Sequence, residues 1–81
     1  MKMINNIEEV KRGKYAIVTQ LNGGTSSTLQ ISIDGGAFVT IEGGVFTADA
    51  TNIIEIPDCR LQGVSVGGAF SDVNLIEGGY Y

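Results

Sequence analysis

Short apolar runs alternate with glycine pairs along most of this chain. Gly-Gly recurs at 23–24, 35–36, 43–44, 67–68 and 78–79. The runs between are rich in Val, Ile, Thr and Phe, and each is too short for a helix of ordinary length. That rhythm predicts strands near residues 15–21, 28–33, 37–41, 45–47, 52–56, 60–66 and 69–76, joined by tight turns. Leu29, Ile31 and Ile33 alternate with Gln30, Ser32 and Asp34, so one face of that strand is apolar. A two-residue turn at Asp34-Gly35 would pair Ile31 with Phe38. A three-residue turn through Gly36 would pair Ile33 with Ala37, Ile31 with Val39 and Leu29 with Ile41. The second register places apolar on apolar throughout and is the one expected. It puts Gly36 in the left-handed position and turns Phe38 and Thr40 to the opposite face. Pro57 closes a strand, and Gly63 interrupts the alternation after Leu61 as a bulge would.

The fold class expected is all-β: a small β-sandwich, jelly-roll or Ig-like, carrying an N-terminal arm. Residues 15–81 form the single sandwich domain and residues 1–14 the arm. Ile4 to Val10 fits either one or two helical turns, with Asn6 as cap and Glu9 three residues later, or an extended arm. Charge separates the two parts. Lys2, Lys11, Arg12 and Lys14 outweigh Glu8 and Glu9 by two. The body carries Arg60 against seven carboxylates, and the whole chain has net charge -4. A basic arm on an acidic body suits docking on an acidic surface.

Composition removes several kinds of chemistry. With no histidine, a Ser-His or Cys-His nucleophile and a His-ligated metal are excluded. One cysteine allows no internal disulfide. Cys59 is expected as a small buried hydrophobe, since Arg60 beside it cannot accept a proton. The glycine pairs lack the Lys-Ser/Thr of a phosphate loop. No cofactor and no metal are expected, and the acidic body argues against nucleic acid as a partner. No apolar run approaches the roughly 20 residues that span a bilayer, so no membrane partner is expected. Residues 1–15 lack the apolar stretch of a secretory signal, which predicts synthesis in the cytoplasm.

Ser32-Ile33-Asp34-Gly35-Gly36 resembles the start of an Asp-box turn, with Phe38-Val39 where Thr-Trp would stand. More broadly, that turn, Gly44-Val45-Phe46-Thr47 and Ile56-Pro57-Asp58-Cys59-Arg60-Leu61 occur in an order that resembles small β-sandwich decoration (cement) proteins of tailed-phage heads. The resemblance implies a non-enzymatic virion protein on the capsid surface. Its partners would be the major capsid protein and neighbouring copies of itself, as in a homotrimer. The residues expected to bind are Lys2, Ile4, Ile7, Val10, Lys11, Arg12 and Lys14 of the arm, then Phe38, Tyr80 and Tyr81. The alternative from another class is a host-adhesion or carbohydrate-binding module of a phage head fibre or tail.

Overall fold

The computed structural model describes residues 1–78. It is all-β, with eight strands in two four-stranded antiparallel sheets. The strands are β1 (Lys2–Met3), β2 (Ile7–Val10), β3 (Gly13–Gln20), β4 (Ser26–Ser32), β5 (Val39–Phe46), β6 (Ala50–Ile56), β7 (Cys59–Val66) and β8 (Phe70–Gly78). One sheet has the order β1-β8-β3-β6 and the other β2-β7-β4-β5. Every neighbouring pair is antiparallel. First pairs with last, second with seventh, third with sixth and fourth with fifth. The chain is one long hairpin wrapped so that successive pairs fall in opposite sheets. That is the jelly-roll order and not the Ig order.

The alternation read from sequence places the core. Tyr15, Ile17 and Val73 of the first sheet face Leu29, Phe46, Cys59 and Leu61 of the second. Ile17, Leu29, Leu61 and Met3 are wholly buried. At one end the core turns polar. Ser27 Oγ and Ser71 Oγ lie 2.7 Å apart across the two sheets, and Thr19 Oγ1 lies 3.3 Å from Ser71. These hydroxyls satisfy one another where water cannot reach.

Residues 1–14 do not stand off as an arm, and neither the helical turns nor the extended arm describes Ile4 to Val10. β1 pairs with β8 through Lys2↔Asp72 and Met3↔Ser71. β2 pairs with β7 from Ile7↔Gln62 to Val10↔Cys59. Asn6 caps no helix; its carbonyl accepts from Gly63 N at 3.0 Å and its side chain accepts from Ile4 N at 2.7 Å. The physical reason is Met3 and Val10, whose burial needs the segment laid across both sheets.

Gly63 makes no bulge. β7 runs in unbroken register with β4 through Leu29↔Gly63. A Cβ there would sit 2.7 Å from the Met3 Cβ, so glycine is required by close approach of the β1 chain. The break expected between 37–41 and 45–47 is also absent as a break. β5 is one strand whose register with β4 shifts between Thr28 and Gln30, opposite Gly43-Gly44.

The hairpin at 33–36 mixes the two turns weighed above. Ile31 pairs with Val39, the register expected. The left-handed residues, however, are Asp34 (φ 54°) and Gly35 (φ 75°), not Gly36. Gly36 N donates to the Ile33 carbonyl at 3.1 Å, which closes a type I′ turn. Residues 36–38 take up the extra length, held by Ser32 Oγ donating to the Gly36 carbonyl at 2.6 Å. Gly35→Val is therefore expected to cost roughly 1–2 kcal/mol, because a β-branched residue resists positive φ. Gly36→Ala should cost less, since its Cβ meets only the Ile33 carbonyl, at 3.3 Å. Urea melts of the two variants measure the difference, and the reverse ranking would contradict this turn.

Candidate partner-binding face

The expected binding residues do not converge. Lys2 lies on the outer face of the first sheet, its ammonium 4.2 Å from the Phe70 ring centroid. Ile4 is exposed in the crossing from β1 to β2, and Ile7 is exposed on the outer face of the second sheet. Val10 is 7% exposed in the core, opposite Cys59, and cannot meet a partner. The Lys11 carbonyl accepts a hydrogen bond from the Tyr15 hydroxyl. Arg12 N donates to Asp58 Oδ1 at 2.6 Å. Lys14 stands between Glu77 of β8 and Glu55 of β6. Tyr80 and Tyr81 lie outside the described residues. The four cations thus divide between the outer face of the first sheet, Lys2 and Lys14, and the crossing from β2 to β3, Lys11 and Arg12.

The outer faces of the two sheets differ in kind. On the first, the register aligns Lys2 with Asp72, and Lys14 with Glu55 and Glu77. On the second, one row reads Ile7–Gln62–Gln30–Thr40 and the next Val64–Thr28–Val45, with Val66 beside Ser26. Arg60 and Glu9 stand opposite each other in a third row with Ser32. The other positions in these rows are uncharged, and Glu42, two residues beyond Thr40 on β5, adds one carboxylate at that edge. Ile7, Val45, Val64 and Val66 are exposed there, between 37% and 56%. Gln30 Nε2 reaches Thr40 Oγ1 at 3.4 Å. Phe38 borders this face half-buried, with the Arg60 guanidinium 5.9 Å from its ring centroid.

Of the residues that share this face, sequence reasoning names Phe38 and Ile7 and does not name Thr28, Gln30, Val45, Gln62 and Val64. The available signal was the outward half of the alternation. In β4 and in β7 beyond Arg60 it consists of Ser, Thr, Gln and Val, where a solvated strand usually carries Lys or Glu.

A groove of about 800 Å³ opens at one end of the sandwich, lined among others by Arg12, Lys14, Glu55, Asp58, Glu77 and Ile56. Among the described residues its lining holds no hydroxyl, thiol or imidazole nucleophile. Lys14 separates the two glutamates, and Asp58 is held to the Arg12 backbone. Among the described residues no cluster of His, Cys, Asp or Glu is placed to hold a metal ion, and no helix is long and apolar enough to cross a membrane.

Cys59 is buried as expected, 8% exposed opposite Val10. Burial, then the charge of Asp58, raises its pKa above the ordinary 9.0. The neutral thiol is the form the fold prefers. Its contribution to stability is complete below pH 9.0 and is lost as pH rises through the higher folded value. Slow thiol labelling at neutral pH is expected, with a decline in stability confined to alkaline pH; fast labelling of the folded protein would contradict the burial.

Compared with known families, curated proteins and solved structures, the chain matches none.

Proposed function

We propose that this protein is a non-enzymatic structural component of a tailed-phage virion, a decoration protein that stabilises the capsid by bridging major capsid subunits. The observation that carries the reading is the outer face of the second sheet. It offers an exposed surface of Val, Ile, Thr and Gln whose charges, Glu9, Arg60 and Glu42, lie toward its margins. Such a surface is suited to lasting contact with another protein, at about 25 cal/mol per Å² of apolar area removed from water. The jelly roll is a frequent architecture of capsid and lectin domains, which is a fold-level analogy and adds only modest weight.

Attachment runs through the second-sheet face, with Phe38 and Arg60 at its border. The basic N-terminal segment serves the fold instead, since its strands are needed inside both sheets. Virions banded in a density gradient should carry the chain in fixed ratio to the major capsid protein. Adding the protein to shells that lack it should raise the temperature at which they open. Absence from gradient-purified virions would overturn the proposal.

The carbohydrate-binding reading keeps one supporting observation. Phe38 lies near Arg60 on a face that also carries the Gln30 and Gln62 amides. Retention on a glycan array, with no binding to shells, would favour it.

A further inference from the structure

Each sheet has two edges, and three of the four are blunted. β1 is two residues long, and β2 is four residues with Glu8 and Glu9. β5 is bent by the register shift near Gly43, which has φ 72°. Short length, charge and bulges are the usual protections against edge-to-edge pairing. β6 has only one of them, a single charge. It runs seven residues, Ala-Thr-Asn-Ile-Ile-Glu-Ile, in unbroken register with β3, and Glu55 is its one charge. Ile53 on this strand is 62% exposed, the highest value among the large hydrophobics described.

The side of the sandwich that β6 borders is also poorly closed. β5, the edge of the opposite sheet on that side, makes little contact with β6. Ile41 and Ile54 pack against the core but remain partly exposed there.

We propose that β6 pairs with β6 of a second copy, antiparallel and two-fold about Ile53, to join two four-stranded sheets into one of eight strands. The pattern of this strand is self-complementary. Ile53 meets its own counterpart, Ile54 lies opposite Asn52, and Glu55 lies opposite Thr51. No like charges face each other, and Glu55 keeps Lys14 of β3 as its neighbour within its own copy. The inward-facing Ile54 of each copy gains cover along the open side. The pairing uses the opposite sheet from the capsid-docking face, so it stands or falls separately from that reading.

Sedimentation equilibrium of the wild-type chain should give twice the 8.5 kDa mass at high concentration. Hydrogen exchange of β6 amides should slow as the dimer forms. Ile53→Lys sets two ammonium groups side by side at the axis and should weaken self-association at least about tenfold. Thr51→Lys places a cation opposite Glu55 of the other copy. It should leave association intact or tighten it at low salt, an effect that salt removes. Both positions are exposed, and circular dichroism checks that both variants fold. A monomer at all concentrations up to about 1 mM, a dimer indifferent to Ile53→Lys, or equal disruption by Thr51→Lys would each overturn the pairing.

Discussion

Removing residues 1–12 is expected to unfold the protein rather than release a trimmed domain. The deletion takes β1 from the edge of one sheet and β2 from the edge of the other. It uncovers the hydrogen-bonding edges of β8 and β7 together. It also removes Met3, wholly buried, and Val10, 7% exposed. Truncating a buried Met to Ala alone costs about 2–5 kcal/mol. A domain of this size has a net stability of only about 4–12 kcal/mol. The loss extends to the ties at Met1, whose ammonium donates to Asp72 Oδ1 at 2.9 Å and to the Val73 carbonyl at 3.0 Å. Far-UV circular dichroism and a urea titration should find no cooperative transition in the truncated chain. A transition at the parental midpoint would mean that the two strands are dispensable.

Gly63→Val is expected to be strongly destabilising although it lies within a strand. Gly63 lies in the middle of β7, where β-branched residues are ordinarily favoured. Here the β1 chain crosses directly above it. An added Cβ would stand 2.7 Å from the Met3 Cβ and 3.1 Å from the Met3 carbonyl carbon. All three nearest atoms belong to Met3, which its pairing with Ser71 of β8 holds in place, so nothing flexible can move aside. The substitution must lift Met3 out of its pocket, or break the hydrogen bond from Gly63 N to the Asn6 carbonyl. About 3 kcal/mol of destabilisation is expected, the upper part of the range for overpacking. Equilibrium urea unfolding measures it. A variant more stable than the parent, as strand propensity alone would predict, would refute the close approach.

The sandwich could be read from the sequence because its signals are local. Leu29 and Ile31 alternate with polar residues, Pro57 ends β6, and Asp34-Gly35 is a turn dipeptide with a physical preference for positive φ. Interpretation failed where a residue type serves two purposes. Glycine in a strand marks either a bulge or a close approach. Gly63 was the second kind, and only the fold brings Met3 over it. Gly43-Gly44 looked like a break and is a bend within one strand. Lys2, Lys11, Arg12 and Lys14 cluster in sequence, which suggested an arm. In the fold, Lys2 and Lys14 are the outward halves of strand alternation, with Met3 and Tyr15 as their inward neighbours. The uncharged face was hard to foresee for a related reason. Its members come from β2, β4, β5 and β7, far apart in the chain, and each alone is an ordinary outward residue. Their shared lack of charge becomes visible only when the register sets them in rows.

Matched charges placed on the two outer faces test the central claim most directly. Val64→Glu adds a carboxylate at the centre of the second sheet, beside Thr28. Asn74→Glu adds one on the first sheet, beside Ala16. Both side chains are exposed, so both variants should fold. Occupancy on gradient-purified capsids should collapse for Val64→Glu and stay at the parental level for Asn74→Glu. Full occupancy with Val64→Glu, or equal loss with both, would contradict attachment through the uncharged face.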